Sequence, residues 1–162
     1  VWLTALVEQL RPLGLPIRVL TRHQAHDVLL KDQSVTVLQE PPPWAGPLQA
    51  LARVLPAVSG EALLVLPVDM PCLSTDIFEQ LIEAWQLRPE LLAVAHDGDR
   101  LQPLMAVIPT GSPFQPVLVE QLQAGRYRWL DWLSRVPHHP VHLPAAAMVN
   151  ANRPEDLAAL TS

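Results

Sequence analysis

Cysteine, lysine and long apolar runs are all scarce in this chain of 162 residues. The single cysteine, Cys72, excludes an internal disulfide framework and favours the cytoplasm as the compartment. No apolar run approaches the length of a membrane span, so no membrane association is expected. Lys31 is the only lysine, and the net charge of −5 argues against a nucleic-acid partner.

Glycine is also sparse, and its distribution excludes one common kind of phosphate site. The six glycines do not cluster, and none lies near Lys31. The chain therefore has no glycine-rich loop whose backbone N–H groups and lysine could hold a triphosphate. An acidic protein that handles phosphates must then use a metal ion or other local donors. The length suits a single domain, residues 1–162.

The most informative stretch is an apolar run that ends at a carboxylate, residues 63–71 (LLVLPVDMP). A run of this kind without polar alternation predicts a strand buried on both faces of a parallel sheet. Asp69 would lie just past the carboxyl end of that strand, where open α/β sheets bind ligands. Ser74 and Thr75 are candidate N-caps for the helix that follows. The alternative is that Asp69 only caps a turn.

The rest of the chain alternates helical and strand patterns. Helices are predicted at residues 1–13, from Gly46-Pro47 onward, and at residues 113–124 and 127–133. Strands are predicted at residues 16–21, 35–38, 91–95 and 102–108, with a last strand end at 148–152. The pattern predicts an α/β layer sandwich with a β-hairpin inserted after the central strands.

Two polar segments have both functional and structural interpretations. Residues 96–100 (HDGDR) predict a hairpin turn, in which Asp97 and Gly98 could be turn residues and nothing more. Residues 137–144 contain His138, His139 and His142 between prolines. A histidine metal site there is an alternative, although the segment contains no carboxylate or cysteine.

Taken together, the motifs resemble those of the molybdenum cofactor guanylyltransferases, and the resemblance extends from Val1 to the carboxyl terminus. The matching segments are residues 45–48 (AGPL), 66–71 (LPVDMP), 96–103 (HDGDRLQP), 122–125 (LQAG) and 149–157 (VNANRPEDL). The resemblance implies a nucleotidyltransferase of the glycosyltransferase-A type, a Rossmann-like three-layer sandwich with a mostly parallel sheet. It also implies transfer of GMP from GTP to the phosphate of molybdopterin, with Mg²⁺ as cofactor.

The same resemblance implies roles for individual residues. Asp69 corresponds to the Mg²⁺ ligand, which suits a cation held by one or two carboxylates, substrate phosphates and water. Gly46 and Pro47 allow the backbone to approach the nucleotide, and Glu40 falls near an acidic position of the family. The segment that faces the pterin corresponds to Asp97, Gly98, Arg100, Gln102 and Pro103. The residues near the reacting phosphates correspond to Asn150 and Asn152. Molybdoenzymes or cofactor-delivery proteins are the further partners implied.

One signature of the family is absent from these residues. The family begins with a hydrophobic strand and a glycine-rich loop that holds the triphosphate, and nothing here matches them. That strand should lie between the strands predicted at residues 16–21 and 63–66, so we expect the domain to be N-terminally incomplete. Two alternatives stay open: a cytidylyltransferase of the same superfamily, and a non-catalytic protein that binds and delivers the pterin.

Overall fold

The computed structural model describes residues 2–21, 35–39 and 46–149. Within these residues there are five α-helices: α1 (Trp2–Leu10), α2 (Pro47–Ala52), α3 (Thr75–Leu87), α4 (Phe114–Gln123) and α5 (Trp129–Leu133). The six strands of the same residues are β1 (Arg18–Thr21), β2 (Thr36–Gln39), β3 (Ala62–Val65), β4 (Leu92–His96), β5 (Leu101–Pro109) and β6 (His138–His142). Short 3-10 helices cover Arg11–Leu13 and Ala145–Met148. The α/β class is therefore confirmed.

The larger sheet has four strands in the order β3-β5-β4-β6. β5 pairs antiparallel with both β3 and β4, whereas β4 and β6 are parallel. The prediction of a mostly parallel sheet is therefore only partly correct, because β3, β4 and β6 share one direction but β5 runs against them. The expected β4–β5 hairpin is present, yet β5 lies inside the sheet. The second half of β5, from Met105 to Pro109, is buried, because β3 and β4 pair with its two edges and the apolar cores cover its two faces.

In the part of the chain that the structure describes, the second sheet consists of β1 and β2, which pair in parallel. Among the described residues, β1 and β3 therefore each have one edge without a partner strand. Helix α1 packs on both sheets: Leu3 and Val7 contact the β1 region, while Leu6 and Leu10 pack against the core beneath the larger sheet. Helix α1 thus lies across the boundary between the two sheets.

Strand β3 departs from the expected burial on both faces. All four of its residues are only partly buried, although the sequence there is entirely apolar. In contrast, Leu92, Ala93, Val94 and Ala95 of β4 are fully buried. The physical reason is position, since β4 has strands on both sides whereas β3, within the described residues, has a partner strand on one side only.

Two apolar cores cover opposite faces of the larger sheet and give the predicted three layers. Helices α2, α4 and α5 cover one face, where Leu48, Leu118 and Trp132 are fully buried. Helix α3 covers the other face with Phe78 and Leu81. The indole N–H of Trp132 donates to the carbonyl oxygen of Phe114 at 3.1 Å, which ties α5 to the start of α4.

Several local signals act as the sequence predicts, and one does not. Gly14 ends the first helical segment in the left-handed conformation, at φ +66°. The side chain of Ser74, a predicted N-cap, makes no capping hydrogen bond. Gln9 on α1 replaces it, because its Oε1 accepts from the backbone N–H of Thr75 at 3.2 Å. A tertiary contact therefore caps α3.

Strand β6 was not predicted, since Pro140 lies at its centre. A proline lacks the N–H that a strand needs on a paired side, but it fits an edge strand whose other side is free. Among the described strands, β6 pairs only with β4 and is such an edge. A strand end was expected at residues 148–152. This prediction is wrong for Met148, which is the last residue of a 3-10 helix, and residues 150–152 lie outside the described part.

None of the described helices is both long enough and apolar enough to span a membrane.

Candidate active site

Asp69 lies at the carboxyl end of β3, in the position that the sequence predicts. The strand ends at Val65, and the chain bends at Val68 and Asp69 before α3 begins. Its side chain is partly buried, and in the described part of the chain it has no hydrogen-bond or ion-pair partner. Asp69 therefore does not act as the cap of a turn. Its carboxylate oxygens are available to a cation.

The Asp97 turn joins β4 to β5 at the same edge of the sheet. This edge is shared because β3 and β4 run in one direction and β5 begins where β4 ends. One carboxylate oxygen of Asp97, Oδ1, accepts from the backbone N–H groups of Asp99 at 2.8 Å and Arg100 at 2.9 Å. Oδ2 accepts from the side-chain amide of Gln102 at 2.9 Å.

These hydrogen bonds lower the pKa of the Asp97 carboxyl group. The backbone N–H of Arg100, followed by that of Asp99 and the amide of Gln102, lowers its pKa from 3.8 to about 2. The carboxylate is thus ionised at any physiological pH, and both of its oxygens accept hydrogen bonds within the turn. Gly98 completes the turn with φ +95°, a conformation that L side chains rarely adopt. Asp97 is therefore a turn residue, and its predicted role toward the substrate stays a prediction. The side chain of Arg100 is exposed.

Replacing Gln102 by leucine should raise the pKa of Asp97, because one donor to the ionised form is lost. The value should stay below 3.8, since the two backbone donors remain. A depressed pKa stabilises the folded chain above the unfolded pKa, and this contribution disappears as the pH falls toward 2. Carboxyl-carbon NMR titration of Asp97 measures the shift. A Gln123→Leu control on α4 should leave the midpoint unchanged, and an unmoved midpoint in Gln102→Leu would contradict the assignment.

The other predicted site residues fall into two groups. Gly46 and Pro47 are exposed at the start of α2, where Gly46 has φ +99° and open space around its α-carbon. Pro103 lies in β5 beside Gln102, and both are partly buried. Glu40, Asn150 and Asn152 lie outside the described residues, so their predicted roles stay predictions.

The histidines of β6 do not converge as a metal site. Strand alternation places His139 on the opposite face from His138 and His142. No cluster of three potential ligands among His, Cys, Asp and Glu occurs in the portion that the structure describes. Instead, His142 contacts His96 at the end of β4, with ring centroids 4.7 Å apart. Sequence reasoning missed this pair because it did not predict β6.

Comparison with known proteins agrees with this architecture. Residues 1–141 match the MobA-like NTP transferase domain. The molybdenum cofactor guanylyltransferase of Ectopseudomonas mendocina is 32% identical over 155 residues, which are 94% of this chain and 74% of that protein. The guanylyltransferase of the same name from Shewanella woodyi is 31% identical over 120 residues, or 69% of this chain and 57% of the relative. The chain thus spans about three quarters of the length of the first protein and somewhat over half of the length of the second.

Solved structures show the same fold at low sequence identity. Molybdopterin-guanine dinucleotide biosynthesis protein A from Archaeoglobus fulgidus superposes with a TM-score of 0.67 at 17% identity, covering 98% of this chain and 83% of that one. The 2-C-methyl-D-erythritol 4-phosphate cytidylyltransferase of Thermus thermophilus gives 0.69 at 18% identity, covering 98% and 86%. Because the family model matches residues 1–141, which are most of its length, this chain belongs to the family of MobA-like NTP transferase domains.

Proposed function

We propose that this protein transfers GMP from GTP to the terminal phosphate of molybdopterin and releases pyrophosphate. The observation that carries the proposal is Asp69, a partly buried carboxylate at the end of β3 that has no hydrogen-bond or ion-pair partner among the described residues. It lies on the same sheet edge as the ordered Asp97 turn. The names of the relatives from Ectopseudomonas mendocina and Shewanella woodyi support GTP as the nucleotide.

The reaction needs positioning and charge neutralisation more than an elaborate protein nucleophile. A phosphate oxygen of molybdopterin forms a bond to the α-phosphorus of GTP, and the bond from that phosphorus to the β-bridging oxygen breaks. Asp69 suits Mg²⁺, because this cation takes one or two carboxylates together with substrate phosphates and water. When bound, Mg²⁺ supplies positive charge that offsets the charge of the triphosphate. Asp69 thus fixes where the triphosphate lies relative to the sheet.

The remaining residues have supporting roles in this proposal. Gly46 and Pro47 let the backbone approach the nucleotide, since no side chain projects from the exposed Gly46. Gly98, Arg100, Gln102 and Pro103 face the pterin, and Asp97 holds the shape of their turn. Glu40, Asn150 and Asn152 complete the set near the phosphates. Molybdoenzymes or proteins that deliver the cofactor would receive the product.

We also propose that a strand encoded upstream of Val1 completes the sheet between β1 and β3. Each of these strands has a free edge within the described residues, and the apolar β3 is only partly buried. An exposed apolar edge invites aggregation and is normally covered. Helix α1 packs on both sheets, as a crossover helix from a strand in that gap to β1 would do.

The test compares the 162-residue chain with the polypeptide translated from the start codon upstream of Val1. Calorimetry with Mg²⁺ measures binding of GTP and CTP, and labelled GTP measures GMP transfer to molybdopterin. We expect the longer polypeptide to prefer GTP and to catalyse transfer, and the shorter chain to show no detectable transfer. A preference for CTP would reassign the enzyme as a cytidylyltransferase.

Two other outcomes would overturn these proposals. Binding of molybdopterin by the longer polypeptide without binding of either nucleotide would indicate a delivery protein in place of a transferase. Upstream codons that encode no apolar strand would refute the completion of the sheet. In that case the free edges of β1 and β3 would need another partner.

A further inference from the structure

A surface groove lies between the first helical segment and α3, on the face of the sheet that α3 covers. Its volume is about 310 Å³. The residues that line it are Leu13, Leu15, Glu79, Ile82, Glu83 and Gln86. Leu13 ends the 3-10 helix, and Leu15 follows the helix stop at Gly14. The groove therefore combines three apolar side chains with two carboxylates.

Four of the lining residues form one stripe along α3, at positions i, i+3, i+4 and i+7: Glu79, Ile82, Glu83 and Gln86. At the rise of an α-helix, the stripe is about 10 Å long, or two turns. Hydrogen bonds join the two walls of the groove, since the backbone N–H and the hydroxyl of Thr75 donate to Oε1 and the carbonyl oxygen of Gln9. The spacing of the walls is thus set by contacts between α1 and α3.

The apolar side chains of the groove are open to solvent. Leu15 is 51% exposed, and Leu13 and Ile82 are only partly buried. Leu87, one turn beyond Glu83 on the surface of α3, is 83% exposed. A single exposed leucine is ordinary, but here several apolar side chains share one concave surface. A partner with apolar side chains would remove this area from water.

Glu79 and Glu83 determine the charge of that partner. Both side chains are exposed, and neither has a hydrogen-bond or ion-pair partner among the described residues. Two carboxylates one helical turn apart repel each other, and a nearby cation relieves this repulsion. GTP and molybdopterin are anions, and a second copy of this chain has a net charge of −5. The charge therefore favours a different protein with basic side chains.

The groove lies away from the edge of the sheet where Asp69 is located. Helix α3 leads from the carboxyl end of β3 to the amino end of β4, because these two strands run in the same direction. Its lining residues lie roughly 6 to 17 Å from Thr75 along the helix axis. A partner in the groove would therefore leave the Asp69 edge open.

We propose that this groove binds a basic amphipathic helix of another protein. The apolar stripe of such a helix contacts Leu13, Leu15 and Ile82. Lysine or arginine side chains beside that stripe pair with Glu79 and Glu83. The partner is held on the protein while the Asp69 edge stays accessible to small molecules.

The test measures, by fluorescence anisotropy, how tightly the complete polypeptide binds a synthetic helical peptide. The peptide has leucine at positions i, i+3, i+4 and i+7 and lysine on both sides of this stripe, and a second peptide has glutamate in place of each lysine. The variants are Leu15→Ser and the double substitution of Glu79 and Glu83 by Gln. The matched controls are Leu130→Ser, because Leu130 is 48% exposed on α5 at the other face of the sheet, and Glu90→Gln, an exposed carboxylate beyond the end of α3.

We expect Leu15→Ser to raise the Kd for the lysine peptide about tenfold, because apolar contact is lost. The double substitution should raise it about fivefold, the effect of two exposed ion pairs. The two controls should stay within about twofold, and the glutamate peptide should bind at least about tenfold more weakly. Unchanged affinity in Leu15→Ser and in the double variant, or equal binding of the two peptides, would overturn the proposal.

Two further measurements distinguish this groove from other sites and occupants. GMP transfer in the presence of saturating peptide should stay within about twofold, whereas inhibition that competes with a substrate would overturn the location. Sedimentation equilibrium tests the alternative occupant, since self-association that Leu15→Ser abolishes would assign the groove to a second copy of this chain. Peptide binding needs no nucleotide, so a protein without transfer activity would refute the proposed function and leave the peptide result to decide this one.

Discussion

The variant Asp69→Asn of the complete polypeptide should lose GMP transfer by roughly a hundredfold to a thousandfold, the usual effect of removing one well-placed charged or polar group. Asparagine keeps the shape of the side chain but removes the charge that Mg²⁺ requires. Asp69 has no hydrogen-bond or ion-pair partner in the described chain, so the free energy of unfolding should stay nearly constant. A radiolabel transfer assay and a urea denaturation curve measure the two quantities.

Asp76→Asn provides the matched control for this experiment. Asp76 is an exposed carboxylate in the first turn of α3, seven positions further along the chain. Its replacement should leave transfer unchanged and cost only a few tenths of a kcal/mol through the helix dipole. Full activity in Asp69→Asn would show that Asp69 is structural and that the cation, if one is used, is held elsewhere.

The variant Gly111→Ala should be the most destabilising single methyl addition among the glycines that the structure describes. Gly111 has φ +77°, and an added Cβ would overlap Ser59 Oγ. It would also come within 2.7 Å of the backbone nitrogen and 2.8 Å of the α-carbon of Ser59. Because backbone atoms cannot rotate away, we expect the free energy of unfolding to fall by about 3 kcal/mol or more, from overpacking together with left-handed strain.

The position of Gly111 explains why the surroundings cannot relax cheaply. Its N–H donates to the carbonyl oxygen of Pro56 at 2.9 Å, and the N–H of the adjacent Thr110 donates to the carbonyl oxygen of Glu61 at 2.9 Å. The hydroxyl of Thr110 also accepts from the N–H of Glu61 at 3.1 Å. These bonds hold the 56–61 loop against the end of β5, so moving Ser59 would break several of them.

Gly125→Ala separates conformational strain from the clash. Gly125 has φ +75°, close to the value at Gly111, but nothing lies within 4 Å of its added Cβ. We expect a loss of about 1 kcal/mol from strain alone. Chemical denaturation of both variants gives the difference, which isolates the contact with Ser59. Equal losses of unfolding free energy in the two variants would show that the 56–61 loop accommodates the added methyl group at Gly111 without loss of stability.

Element type could be predicted wherever it depends on neighbours along the chain. The 3.6-residue period of α3, the left-handed stop at Gly14 and the Asp97-Gly98 turn were all predicted correctly. The signals fail where a distant group replaces a local one. Gln9 caps α3 in place of Ser74, and nothing in the sequence near residue 75 indicates that contact.

The site was predictable only in part, for a related reason. The place of Asp69 just past the end of β3 was predicted correctly because an apolar run that ends in a carboxylate is a local pattern. The pairing of His96 with His142 depends on β4 and β6 being neighbours, although 46 positions separate the two residues. Strand β6 was not predicted because it contains Pro140, and proline is disfavoured in a central strand although an edge strand tolerates it. Whether a position is an edge is a property of the assembled sheet.

The sequence by itself therefore determined the α/β class, most element boundaries, the position of Asp69 and the resemblance to the guanylyltransferases. These follow from hydrophobic period, capping and turn residues, which act over a few positions of the chain. Only the tertiary structure decided that β5 lies inside the sheet, that β3 is partly buried with a partner on one side among the described strands, and that two histidines meet beside the Asp97 turn. Strand order could not be predicted from local sequence because pairing joins residues far apart in the chain. The most favourable pairing depends on all the strands together.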